Sequence, residues 1–93
     1  MNWPKEVPTL TAEDMHKNFL DGPNGTHCLG GWVHAVFRGD AKIPVFSAIR
    51  EVIGCDDVSW WNDNPDRTKS TLARAWNRAM AKLGYVVGNP EAK

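Results

Sequence analysis

The sequence lacks an excess of charge of either sign, because 11 Lys and Arg are balanced by 11 Asp and Glu in 93 residues. This balance argues against general nucleic-acid binding, in which Lys and Arg neutralise phosphates, and equally against an acidic mimic of nucleic acid. No apolar run approaches the roughly 18 residues of a membrane span. The first residues lack the basic-then-apolar order of a signal peptide. We therefore expect a soluble, cytoplasmic protein with no membrane partner.

Cysteine and histidine are also scarce, with two cysteines and three histidines. Disulfides are rare in the cytosol, so Cys28 and Cys55 are expected to be reduced thiols. Neither Cys-x-x-Cys nor His-x-x-x-His occurs, and we predict no metal site and no cofactor. The sequence has no phosphate-binding loop and no Gly-x-Ser-x-Gly motif. His27 and Cys28 are adjacent, and adjacent helical residues do not face each other. These absences favour a protein that is not an enzyme.

The chain does have the apolar periodicity of amphipathic helices. A helix is predicted over about residues 11–20, where Asp14 follows Thr11 as a helix-starting pair. Three later segments repeat apolar residues at i, i+3 and i+4. Their stripes are Leu29, Trp32, Val33, Val36 and Phe37; Val45, Phe46, Ile49, Val52 and Ile53; and Leu72, Ala75, Trp76, Ala79, Met80 and Leu83.

Residues typical of helix ends divide these segments. Thr26 is expected to cap the second helix, and Pro44 suits the first turn of the third. Gly54 stands where that helix should stop. Asp66 or Thr68 should cap the last helix. The fold class predicted is all-α: one domain over residues 1–93, built as a compact bundle of about four helices.

We predict a different structure for each end of the chain. With their two prolines, residues 1–9 read as an extended arm. Residues 85–87 suit either one short strand or an extended tail on the core. Residues 88–93 are expected to be a disordered tail.

Residues 60–68 join two predicted helices and are the most informative segment. A tryptophan here could stack on a flat ligand, Asn62 and Asp63 could read its polar edges, and Arg67 could hold a phosphate. The same residues also suit a rigid turn in which one Trp fills the core and Arg67 pairs with an acid. Both interpretations remain open. The candidate ligand-binding residues are Trp60, Trp61, Asn62, Asp63, Arg67 and Thr68, with Gly30 and Gly31.

Gly30 and Gly31 lie within a helical pattern, where each glycine costs about 1 kcal/mol relative to alanine. Close packing of helices, under Trp76 for example, would compensate for this cost. A ligand that approaches the helix backbone near its start is the functional alternative.

The last predicted helix carries a basic face, formed by Arg67, Lys69, Arg74, Arg78 and Lys82. Such a face is most simply a solvated helix surface. It is also the best candidate for contact with DNA, although nucleic acid is not the partner that the neutral net charge favours.

Three short motifs carry a resemblance: Cys28-Leu29-Gly30-Gly31, Trp61-Asn62-Asp63 and Arg67-Thr68, followed by an alanine-rich helix. The chain resembles a family of small domains of unknown function encoded by bacteriophages and actinobacteria, over about residues 11–84. The resemblance implies a small accessory protein, located in the cytoplasm of an infected bacterium if it is phage-borne.

In that context the sequence favours an anti-defence protein that sequesters a nucleotide-derived second messenger without cleaving it. Such sites are often completed at an oligomer interface, so a homo-oligomer is expected. One alternative is an inhibitor that binds a host defence protein through the same aromatic surface. Another is a small DNA-binding regulator. The sequence identifies neither the ligand, the host partner nor the buried tryptophans.

Overall fold

The computed structural model describes residues 7–16 and 27–85. This part of the chain forms four α-helices: α1 (Leu29–Val36), α2 (Lys42–Ile53), α3 (Val58–Asp63) and α4 (Lys69–Lys82). Single 3₁₀ turns precede α1 and α2, at Ala12–Asp14 and Gly39–Ala41. Within the described ranges the extended chain forms one isolated bridge, between Met15 and His27, and no strand. The predicted all-α class is confirmed.

The core lies mainly between α2 and α4, which make the most extensive helix–helix contact, with α1 packed on α2 and α3. The predicted stripe of α4 is buried apart from Leu83, which is half-buried. Trp76 is its largest member and is 0% exposed. From α2, Val45 and Ile49 are fully buried, as the periodicity predicted. Burial of these two stripes against each other removes the apolar surface that drives folding.

Helix ends follow the predicted residues in α2 and α4. Gly54 adopts the left-handed conformation (φ 68°, ψ 30°) that a glycine supplies after a helix. Thr68 is the N-cap of α4, and its hydroxyl accepts a hydrogen bond from the Thr71 amide at 3.2 Å. Thr26 was the wrong cap for α1. That helix begins at Leu29 with Cys28 in the cap position, and Thr26 itself lies outside the described residues.

The predicted helix over residues 11–20 is wrong in its described part. Only the turn Ala12–Asp14 is helical, and Met15 is extended (φ −95°, ψ 140°). The His16 amide donates to the carbonyl of His27 at 2.9 Å, beside the bridge. In this extended conformation the Met15 side chain is completely buried. Tertiary burial therefore overrides the local helix signal here, and the rest of the predicted helix lies outside the described residues.

The described end of the predicted arm is held against α4 by side chains of that helix. The Leu10 amide donates to Asn77 Oδ1 at 3.0 Å, and Asn77 Nδ2 donates to the Leu10 carbonyl at 2.9 Å. The indole Nε1 of Trp76 donates to the Pro8 carbonyl at 2.9 Å. The chain segment at residues 7–10 is thus part of the packed domain.

The other end of the described chain also packs on the core. The Tyr85 ring lies 6.2 Å from that of Phe37, centroid to centroid. The predicted strand or tail beyond Tyr85 and the predicted disordered tail lie outside the described residues. Across the two described ranges, no helix combines the length and apolarity needed to cross a bilayer.

Candidate functional site

The segment predicted as a binding loop is half helix. Residues 58–63 form α3, which begins after Asp57, whose carboxylate accepts a hydrogen bond from the Trp60 amide at 2.9 Å. A carboxylate at this position satisfies an amide that has no partner within the helix and interacts favourably with the helix dipole. Only residues 64–68 form the connector to α4. The tryptophans therefore lie on a rigid element.

The helical geometry separates the two adjacent tryptophans. Consecutive residues point about 100° apart around a helix axis, so Trp60 and Trp61 cannot face the same way. Trp61 is 8% exposed and belongs to the core, whereas Trp60 is 58% exposed. Of the two candidate tryptophans, Trp61 is therefore the one that fills the core, and Trp60 is the one that remains available at the surface.

Asn62 has a structural role. It is 1% exposed, and its Oδ1 accepts a hydrogen bond from the Leu29 amide at 3.0 Å. Its Nδ2 donates to the His16 carbonyl and to Asp63 Oδ1, both at 3.0 Å. The side chain thus joins α3 to the start of α1 and to the segment before it. It is not placed to read the edge of a ligand, as the binding interpretation supposed.

Arg67 and Thr68 are also engaged within the fold. The guanidinium carbon of Arg67 lies 4.5 Å from the centroid of the Trp61 ring, within the range of a cation–π contact. Thr68 caps α4. The interpretation in which one Trp fills the core therefore accounts for Trp61, whereas Asn62 joins distant segments instead of capping a turn. Trp60 remains exposed.

The two glycines of α1 do not support a close crossing under Trp76. A Cβ on Gly30 would meet only the ring of Phe46, at 3.9 Å, which is an ordinary contact. A Cβ on Gly31 would lie 3.1 Å from the Cβ of His27 and 3.6 Å from the Sγ of Cys28. Gly31 also donates its amide to that Sγ at 3.4 Å. Only Gly31 has a packing reason to lack a side chain.

We expect Gly30→Ala to stabilise the protein by about 0.5 kcal/mol, since it gains helix propensity and its methyl group makes only an ordinary contact with Phe46. Gly31→Ala should gain none of this, because the new methyl group presses on the His27 Cβ. Urea unfolding of both variants measures the difference. Equal stabilisation by the two substitutions would contradict the packing assigned to Gly31.

A groove between the end of α2 and the outer face of α4 brings together residues that the sequence did not connect. We call it the arginine groove; it encloses about 230 Å³ and is lined by Val52, Ile53, Trp61, Thr71, Arg74, Ala75 and Arg78. Arg74 and Arg78 lie one turn apart on the same helix face and are exposed. Both charged side chains that line the groove are therefore positive. They lie beside an apolar wall formed by Val52 and Ile53.

Trp60 lines a different cavity, which shares no lining residue with the arginine groove. This Trp60 cleft encloses about 410 Å³ and is lined by Asp57, Ser59, Trp60, Asp63, Asn64 and Pro65. Its charged lining residues are carboxylates. The residues predicted to form one site therefore contribute to two surfaces of opposite charge.

The wall of the arginine groove was not predicted from the sequence. Val52 and Ile53 belong to the predicted apolar stripe of α2 and were expected in the core, but they are half-buried. Arg74 and Arg78 were treated as part of a solvated basic face. The available signal was their spacing of four residues on a helix that packs against the end of an apolar stripe.

The His, Cys, Asp and Glu side chains of the described ranges are the potential metal ligands. No group of three or more His, Cys, Asp or Glu side chains is placed there to hold a metal ion. Both cysteines are free thiols, as expected. In comparisons with known proteins, no family model, curated protein or solved structure matches the chain.

Proposed function

We propose that this protein binds a nucleotide-like anion in the arginine groove and holds it without chemical change. The observation that carries the proposal is the position of Arg74 and Arg78, exposed on one face of α4 and lining the same groove. Guanidinium groups form paired, charge-assisted hydrogen bonds with phosphates. Two of them one turn apart suit a ligand with more than one phosphate oxygen.

The rest of the groove supports a ligand with a flat, apolar part. Val52 and Ile53 provide an aliphatic wall, and Thr71 provides a hydroxyl group. A nucleobase can lie against aliphatic side chains and stack on a guanidinium plane. Trp61 contributes little stacking surface, since it is 8% exposed and Arg67 covers its ring. Stacking on the arginines replaces the stacking on tryptophan that the sequence suggested.

The size of the groove bears on the oligomeric state. Pockets that enclose small ligands usually measure about 300–1,000 Å³, and this groove encloses about 230 Å³. A single chain would therefore leave part of a nucleotide uncovered. A homo-oligomer, in which a second copy covers the ligand, is part of the proposal.

The biological role proposed is the sequestration of a nucleotide second messenger in an anti-defence context. The support for this role is the resemblance of the three sequence motifs to small phage and actinobacterial domains, together with the chemistry of the groove. Sequestration requires only that the ligand be bound and later released intact. An inhibitor of a host protein and a DNA-binding regulator remain the alternatives.

The proposal is tested by a thermal-shift screen with mono-, di- and cyclic nucleotides, followed by titration of the best ligand. A ligand at one hundred times its dissociation constant should add about 2.7 kcal/mol of stability. Combined Arg74→Gln and Arg78→Gln should weaken binding by about 100-fold or more, because it removes two charge-assisted hydrogen bonds that each contribute roughly 1.5–3 kcal/mol. The matched control is Arg38→Gln, an exposed arginine that does not line the groove.

Three outcomes separate the alternatives. Recovery of the unchanged ligand after denaturation supports sequestration, whereas recovery of a cleaved product contradicts it. Binding of duplex DNA that falls steeply with salt would favour the regulator. Equal binding by the groove double variant and Arg38→Gln would show that the ligand binds elsewhere.

A further inference from the structure

The Trp60 side chain is the exposed aromatic surface that the proposed function does not use. It is 58% exposed, and Trp60 and Ile43 are the exposed large hydrophobic residues in the described chain. Trp61, Trp76 and Phe37, by comparison, are buried. Tryptophans left in solvent are costly in hydration, and they are among the residues that most often dominate the energy of protein interfaces.

The charges around Trp60 specify what can cover it. Asp57 and Asp63 line the cleft with it, together with the uncharged Ser59, Asn64 and Pro65. Carboxylates on the rim of the cleft repel phosphates and attract cations. The face of an indole ring also attracts a cation, through its quadrupole. The cleft therefore selects a partner of the opposite charge to the ligand of the arginine groove.

The cleft is held in shape by hydrogen bonds from backbone amides to two of its lining side chains. Asp57 accepts from the Trp60 amide at 2.9 Å, which fixes the start of α3. At the other end, Asn64 Oδ1 accepts from the Asp66 amide at 2.9 Å. A surface that is already ordered loses little conformational entropy when a partner binds.

A second groove continues from the Trp60 cleft and indicates an extended partner. It encloses about 410 Å³, shares Asp57 and Ser59 with the cleft, and is otherwise lined by Phe46, Arg50, Asp56 and Val58. Arg50 lies over the Phe46 ring, 5.8 Å from its centroid. The Trp60 cleft has room for one cationic side chain. The adjoining groove has room for the neighbouring residues of the same polypeptide.

We propose that the Trp60 cleft binds a basic segment of another protein. A lysine or arginine of the partner lies against the Trp60 ring with Asp57 and Asp63 beside it. The adjoining residues of the segment occupy the groove that leads to Phe46. This site is separate from the arginine groove, and it would stand if no nucleotide bound there.

The test uses a hexa-arginine peptide and follows the indole N–H signals of the isotope-labelled protein by NMR. The indole signal of Trp60 is the one that is missing from the spectrum of Trp60→Phe. We expect hexa-arginine to shift the Trp60 indole signal in a saturable way, while hexaglutamate leaves it unchanged. Trp60→Ala should weaken binding by about tenfold, the change expected from loss of a desolvated cation–π contact.

A variant that removes negative charges from the cleft provides a second, independent test. Asp57→Asn combined with Asp63→Asn removes two charges, and the asparagine at position 57 can still cap α3 because Asn caps as well as Asp. We expect this variant to bind hexa-arginine at least tenfold more weakly. Asp40→Asn, an exposed acid that lines neither cavity, should bind as the wild type does.

Two results would overturn the inference. One is a Trp60 indole signal that does not move with hexa-arginine, or moves equally in the Asp57 and Asp63 double variant. The other is a salt-sensitive dimer in analytical ultracentrifugation that Trp60→Ala abolishes. That dimer would mean that the basic face of α4 from a second copy covers Trp60.

Discussion

Trp76→Ala should lower the free energy of unfolding by about 4 kcal/mol, the upper range for removal of a large buried side chain. Trp76 is 0% exposed, and its ring packs near those of Trp32 and Phe37, at centroid distances of 6.3 and 6.4 Å. Its Nε1 also donates a hydrogen bond to the Pro8 carbonyl at 2.9 Å. Domains of this size are stable by only about 5–15 kcal/mol. Urea unfolding should therefore show a large loss of stability.

Two further substitutions separate the contributions to this loss. Trp76→Phe keeps an aromatic ring in the core but removes the hydrogen bond to Pro8, and it should cost about 1–2 kcal/mol. Trp60→Ala should change stability by less than about 0.5 kcal/mol, since exposed side chains contribute little. If Trp60→Ala and Trp76→Ala were equally destabilising, the assignment of exposed and buried tryptophans would be wrong.

The larger helices could be predicted because their apolar residues repeat over several turns. Helix α4 has 14 residues and α2 has 12, enough for the stripes to identify the buried face. Thr68 and Gly54 then mark ends that depend only on local backbone chemistry. These features are local, so they are visible in the sequence without knowledge of the fold.

Helix α3 could not be predicted in the same way because it has only 6 residues. A segment this short shows less than two turns of periodicity, and its two adjacent tryptophans suit a loop or a helix equally. Asp57 was the available signal, as an acid three residues before the amide that it caps. Which tryptophan is buried depends on the position of α3 against the rest of the core.

The lining of the two grooves could not be predicted from one segment of sequence. The chemistry of residues 60–68 suggested a single site, but adjacency in sequence does not place side chains on one surface. The arginine groove joins α2 to α4, and the Trp60 cleft lies along α3 and the connector. Sequence spacing within one segment cannot reveal a groove whose walls come from two helices.

Asn62 makes long-range contacts that the local sequence does not indicate. Its side chain bonds to the backbone of Leu29, 33 residues away, and of His16, 46 residues away. A buried amide with its donors and acceptor satisfied stabilises the positions of the segments it joins. The same residue type in a turn would cap a neighbouring amide, and the sequence offers no means of telling these roles apart.

Asn62→Ala should lower the free energy of unfolding by about 3 kcal/mol, because it removes the acceptor of a buried backbone amide and a hydrogen bond to a backbone carbonyl. The Leu29 amide is the donor, at the start of α1, and the His16 carbonyl is the acceptor. Urea unfolding measures the loss, and hydrogen exchange should show faster exchange of the Leu29 amide than in the wild type.

The matched control is Ser59→Ala, an exposed residue of the same helix, which should change stability by less than about 0.5 kcal/mol. Asn62→Asp keeps an acceptor for Leu29 but loses the donor to His16 and adds a carboxylate beside Asp63. It should therefore be no more stable than Asn62→Ala. If Asn62→Ala instead kept full stability and lost nucleotide binding, Asn62 would be a ligand-binding residue, as the sequence first suggested. The binding site would then have to be a different one, because Asn62 lines none of the three grooves described above.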